Sequence, residues 1–234
     1  MKITSTDIAF IENVIHTAAL VGIDNIIIEP DRVRAMDENQ TVVILEEDGI
    51  PAFDFSSIGL NRIGVLSSRL NIAKSRDNFG IEAVMDDNNE FVRSLNMTGK
   101  GTKIDFRCAN PTHIKAPKQI KDEAIARVPI NDEVVDLMQK GIAAMGAEYV
   151  KLISNTEVTF EFVDVNNDVF SHVIADQADP VNSSTTTKFA HKYPAKTLLS
   201  LFKNNPKGYF EVGGTKGMLS IKVNNLTFYV LPKV

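Results

Sequence analysis

Val21-Gly-Ile-Asp-Asn-Ile-Ile-Ile28 ends a helix on a glycine and opens a strand, and Met145-Gly-Ala-Glu-Tyr-Val-Lys-Leu152 does the same in the second half of the chain. The stretch before Gly22 carries Ile8, Ile11, Val14, Ile15 and Ala18 at helical spacing, with Ser5 or Thr6 as its cap. The stretch before Gly146 spans 132–145 and follows Asn131, a good helix cap. A glycine just past a helix takes the left-handed backbone that stops it. Helix stop and strand register recur together, so the chain reads as two similar halves.

Working outward, 23–28 is the first clear strand. Turns at Pro30-Asp31 and 37–40 separate strands at 32–36 and 41–46. A second helix is expected over 60–70, then strands at 80–85, 91–97 and 102–107, split by the turn clusters 86–89 and 98–101. The second half offers strands at 147–153, 158–163 and 168–174, a helix at 194–203, and closing strands at 209–212, 218–223 and 226–231. Between the halves, 109–124 holds two prolines and little periodicity, and reads as a surface connector. The expected boundaries are a first domain at 1–108, a connector at 109–125 and a second domain at 126–234. The polar Ser/Thr stretch 179–187 is expected to be a mobile loop. Two helices packed on one face of a sheet in each half make an α+β class.

The chain has 234 residues, 44% of them apolar, which suits two domains of about 110 residues each. A net charge of −5 and a pI near 5.4 argue against gripping nucleic acid with the whole surface, but not against one basic face. No apolar run approaches the roughly 18–20 residues that span a bilayer, so no membrane partner is expected. Residues 1–6 do not read as a secretion signal. The single cysteine, Cys108, excludes an intrachain disulfide and reads as a buried strand-end residue; a reducing cytoplasm fits.

Enzyme motifs are missing. No dinucleotide or phosphate-loop glycine pattern occurs, and no Gly-x-Ser-x-Gly elbow. Lys100-Gly101-Thr102 falls in a hairpin turn. His16, His113, His172 and His191 lack metal-ligand spacing. Asp164-Val-Asn-Asn-Asp168 starts like a calcium loop but lacks its glycine and its bidentate glutamate, and reads as a hairpin turn. No catalytic residue, metal site or cofactor is expected.

Charge on the helices is more telling. The first helix of each half carries Asp7, Glu12, Asp132, Glu133 and Asp136 against one base, Lys140. The second helices carry Arg62 and Arg69, then Lys196 and Lys203, without an acid. Each basic pair is seven residues apart and so shares one helix face. Lys74, Lys188, Lys192 and Lys207 lie nearby in sequence and could extend a basic surface.

With these residues in view, the chain resembles the DNA sliding clamps, of the two-domain, trimer-forming type that includes proliferating cell nuclear antigen and the tailed-phage clamps. Val33-Arg-Ala-Met-Asp-Glu-Asn-Gln-Thr-Val-Val43 looks like the family's strand–turn–strand around Ala-Met-Asp. Phe228-Tyr-Val-Leu-Pro-Lys-Val234 is similar to its Tyr-Leu-Ala-Pro-Lys ending. The repeat architecture, with a connector in the right place, extends the resemblance over the chain.

The resemblance implies two pseudo-symmetric clamp domains in a ring, with sheets outside and helices lining the hole. Arg62 matches a family lysine in the second helix and Lys203 one in the fourth; Lys140 falls near a basic position on the third. Arg69 and Lys196 complete the expected contacts to double-stranded DNA. Glu12-Asn13 stands where the family has paired lysines. Partner tails, such as that of a DNA polymerase, would sit on Met36, Gln40, Val43, Ile120, Leu231 and Pro232. Ile120 is singled out as an apolar residue in a polar connector. A clamp loader is a further implied partner. Copies would join as a homotrimer by pairing strand 102–107 of one with strand 168–174 of the next. The expected function is non-enzymatic: a processivity factor that encircles duplex DNA without reading sequence. Two other readings stand beside it: a monomeric or dimeric clamp-fold factor holding DNA on one basic face, and an unrelated two-domain hydrolase using strand-borne carboxylates such as Asp164 and Asp168.

Overall fold

The computed structural model describes residues 2–117, 119–181 and 188–233. Lys118, Val234 and residues 182–187 of the Ser/Thr stretch lie outside the described residues, and with 182–187 most of the expected mobile loop. The chain divides into two compact units, Met1–Gln119 and Ile120–Val234.

The first unit runs β1 (Lys2–Ile3), α1 (Ser5–Ala19), β2 (Asn25–Ile28), β3 (Val33–Met36), β4 (Val42–Glu46), β5 (Ile58–Asn61), α2 (Ile63–Lys74), β6 (Gly80–Met85), β7 (Val92–Gly99) and β8 (Thr102–Arg107). The second runs β9 (Ala124–Pro129), α3 (Asp132–Met145), β10 (Tyr149–Ser154), β11 (Val158–Val163), β12 (Val169–Ala175), β13 (Asp179–Pro180), β14 (Phe189–Pro194), α4 (Ala195–Lys203), β15 (Tyr209–Gly213), β16 (Leu219–Val223) and β17 (Leu226–Val230).

The repeat is finer than the sequence suggests. Among the described elements, one strand, a helix and three antiparallel strands recur four times, starting at β1, β5, β9 and β14. Within each unit the two repeats exchange their first strands. β1 pairs with β6, and β5 pairs with β2, giving the runs β1-β6-β7-β8 and β5-β2-β3-β4. The second unit repeats this as β9-β15-β16-β17 and β14-β10-β11-β12. The exchange ties both repeats of a unit into one core.

Three features differ from expectation. α1 is capped by Thr4, not by Ser5 or Thr6: the Thr4 hydroxyl accepts from the Asp7 N–H, and the Asp7 carboxylate accepts from the Thr4 N–H. The helix expected over 60–70 begins later, because Leu60 pairs with Ile26 as a buried strand residue. Leu60 lies at helical spacing from the apolar residues after it, and pairing overrides that pattern. β13 and β14 have no counterpart among the expected strands, and β13 lies in the stretch expected as a loop, where Asp179 and Pro180 pair with Arg127 and Ala126.

Helix α1 buries Phe10, Ile11, Val14 and Ile15. In the second unit Phe202 of α4 stacks between Phe160 and Phe210, with ring centroids 6.3 and 5.3 Å away. Gly141 lets α3 close onto the Phe162 ring; a Cβ there would come within 2.6 Å of it. Among the described residues, no helix is long and apolar enough to cross a membrane.

Candidate nucleic-acid and partner interface

Arg62 does not lie on a helix face. It is the N-cap of α2, held in the left-handed region at φ 51° and ψ 51°. Its side chain makes no capping bond; Asp24 does this instead, accepting from the Ile63 N–H at 2.9 Å. The Arg62 and Arg69 guanidiniums both turn to β8, 5.2 and 5.6 Å from the centre of the Phe106 ring. Apart from Lys74, the exposed positions within α2 are uncharged, with Val65 and Ile72 at 42% and 51% exposure. The two arginines thus share the side of α2 that faces β8. Lys74 adds little to a basic surface, because Glu12 of α1 takes its ammonium at 2.8 Å.

On α3 the exposed turn holds Asp132, Glu133 and Asp136, and Lys140 is spent on Asp136 at 2.6 Å. On α4, Lys196 and Lys203 are both exposed, and the opposite side of the helix buries Leu198, Leu201 and Phe202. Among the expected DNA contacts, these two lysines are exposed and make no ion pair among the described residues; Arg62 is exposed and unpaired too, but its guanidinium is turned onto β8. Lys192 is drawn aside: its ammonium and that of Lys233 lie over the Tyr149 ring.

The expected partner-tail residues divide between the units. In the first, Met36 and Gln40 border a groove of about 380 Å³ with Asn61, Ala109, His113 and Ile114. Asp37 shapes one wall: its carboxylate accepts from the Thr41 and Val42 N–H groups at 2.7 and 2.6 Å, leaving Gln40 at φ 58°. The connector forms the other wall. The Ala109 N–H donates to the Gly59 carbonyl at 2.9 Å, so close that a Cβ on Gly59 would strike Ala109. Arg34 grips Glu29 with two bonds, at 2.8 and 2.9 Å, and reaches the Ala116 carbonyl at 3.3 Å. Val43, across the ladder from Met36, is buried at 4% exposure and packs as core.

In the second unit, Leu231 and Pro232 are half-buried. Ile120 is half-buried too, not the exposed residue its polar neighbours suggest. Two residues further on, Asp122 accepts from the N–H groups of Thr215, Lys216 and Met218 at 2.8, 3.1 and 2.8 Å. Nothing local in the sequence marks Asp122, or the reach of Arg34 to the connector, since these partners are distant in the chain.

Strands β8 and β12 each have a ladder partner on one side, β7 and β11 respectively. On β12, Val169 and Val173 are 58% and 40% exposed. Cys108, just past β8, has its thiol pushed up to about 12 by burial, which leaves it unreactive. Asp164 accepts from the Asn166 and Asp168 N–H groups, both at 2.8 Å, closing a hairpin turn. No cluster of three or more His, Cys, Asp or Glu that could hold a metal ion occurs among the described residues.

No protein-family model matches the sequence, and no curated protein matches it. Solved structures do. The chain is similar to proliferating cell nuclear antigen from Entamoeba histolytica, at 14% identity and a TM-score of 0.63, over 97% of this chain and 96% of that one. It is similar to the structure of the C-terminal region of FEN-1 bound to A. fulgidus PCNA, at 13% identity and 0.61, over 96% and 95%. A PCNA2–PCNA3 complex from Sulfolobus tokodaii gives 13% and 0.61, over 96% of each chain. At such identities the likeness lies in the fold, and it extends over nearly the whole length: the chain has the fold of the DNA sliding clamps.

Proposed function

We propose that this chain is a subunit of a DNA sliding clamp, a non-enzymatic processivity factor whose copies close a ring around duplex DNA and tether a polymerase. The observation that carries the reading is the clamp fold across both units. The α4 lysines, with β8 and β12 as edges for a neighbouring copy, support it. Similar chains are found as a PCNA2–PCNA3 complex and with a bound FEN-1 segment, which supports self-association and a partner tail; the Met36–Gln40 groove is the seat proposed for such a tail. Sparse outward charge suits the role: each phosphate neutralised contributes about −0.9 to the slope of log K against log salt, and many contacts would stall a ring.

A topological link separates this reading from simple adhesion. The protein is threaded onto linear duplex, both ends are blocked with bound streptavidin, and the salt is raised. Retention on blocked DNA, with loss from DNA keeping one free end, is expected. Equal loss from both would remove the encircling ring. It would favour an open, one-faced factor, a reading to which the acidic exposed turn of α3 lends some support.

A further inference from the structure

We infer that Arg62 and Arg69 guard the free edge of β8 in the unassembled chain and must yield before the β12 edge of a second copy can pair with it; this rests on the ring reading above.

The ladder shows which groups of β8 are open. Cys108 donates to the Arg93 carbonyl, and the register pairs Leu95 with Phe106, Met97 with Ile104 and Gly99 with Thr102. Antiparallel partners alternate between pairs that exchange hydrogen bonds and pairs that do not. Stepping in twos from Cys108, the N–H and C=O groups of Lys103, Asp105 and Arg107 point away from β7. An added strand would use those groups. Two of the three carbonyls already face a guanidinium: Arg62 Nη2 donates to the Arg107 carbonyl at 3.1 Å, and Arg69 Nη1 approaches the Asp105 carbonyl at 3.5 Å. Phe106, buried between these positions, carries both guanidiniums over its ring.

The local backbone serves the same arrangement. Arg62 occupies a left-handed conformation that a Cβ disfavours, and Asp24 relieves it of capping α2. The side chain is thereby released toward the strand. A neighbouring strand lies about 4.8 Å away and brings its own N–H groups to about 2.9 Å from the carbonyls it meets. A guanidinium standing there has to leave. Charged side chains on an edge are a common defence against indiscriminate pairing. By the same alternation on β12, counted from the Asp164–Asp168 turn bond, Val169, Ser171 and Val173 present their backbone outward. The proposed mate is thus an edge whose valines gain cover on pairing.

Sedimentation equilibrium of the full chain tests this, comparing wild type with R62G/R69A and R62K/R69K. Glycine keeps the left-handed start of α2. Losing both caps should lower the dissociation constant for self-association by about tenfold. The lysine pair, which keeps the charge but not the planar fork, should also tighten it. An unchanged or raised constant in R62G/R69A overturns the guard while leaving the ring standing. Tightening confined to the charge-removing variant also overturns it, because like-charge repulsion then suffices. A monomeric wild type beside an associating variant supports the guard. Monomers throughout remove guard and ring together. In wild type alone, the arginine side-chain signals of Arg62 and Arg69 in nitrogen-labelled protein should shift between dilute and assembled states; unshifted signals contradict the inference whatever the variants do.

Discussion

Asp37 holds the turn on which Gln40 sits. Its carboxylate takes two N–H groups and the Thr41 hydroxyl, so the left-handed Gln40 is fixed at the mouth of the groove. Asp37→Ala should cost about 2–3 kcal/mol, since donors lose a charged acceptor; chemical unfolding measures it. The α4 lysines make the complementary prediction for DNA. Lys196→Ala with Lys203→Ala should leave stability nearly unchanged and weaken low-salt retention on duplex severalfold. The salt slope should flatten by about one for each phosphate that is no longer neutralised. Wild-type retention in that variant would mean α4 does not face DNA. At this scale the sequence was legible where a residue acts locally. Asp37 lies inside the Ala-Met-Asp stretch, four and five residues from its partners. Asp122 bonds residues 93 to 96 positions away, and no local pattern announces that. Arg62 was legible as a charge but not in direction, because a left-handed cap re-aims it.

The helices α1 and α3 were readable because each pairs a stop or cap signal with an apolar stripe, and α4 because its leucines and Phe202 lie opposite its lysines. The strands β5 and β14 were not: Leu60 of β5 looks like the first turn of the helix that follows, and β14 follows the polar Ser/Thr stretch with no turn signal of its own. What identifies them is pairing with β2 and β10, a long-range fact. The β6–β7 hairpin makes an element-scale prediction. The Asp86 carboxylate is held below its ordinary value near 3.8, above all by the N–H of Phe91, with those of Asn88 and Glu90 behind it. Its folded value lies below its unfolded one. The stability it adds is therefore fully present above the unfolded value and lost as pH falls through the folded one. In a carboxyl titration by NMR, Asp86 should titrate below the ordinary value near 3.8, and Asp86→Ala should shrink the acid-side loss of stability. A titration at the ordinary value would contradict the turn's role.

For the whole molecule, the fold was legible through recurrence, and structure deepens it from two halves to four strand–helix–strand repeats with exchanged first strands. The charges on the helices were legible but their pairing was not: Lys74 and Lys140 stand against Glu12 and Asp136. A clamp of this kind would hold DNA by enclosure and use charge sparingly. Enclosure requires copies joined edge to edge, so the mass in solution tests the central claim most directly. Light scattering on a size-exclusion column, near micromolar concentration, should give about three times the chain mass of 25.8 kDa. A stable mass of one chain across a wide concentration range, in wild type and in R62G/R69A alike, would contradict the ring.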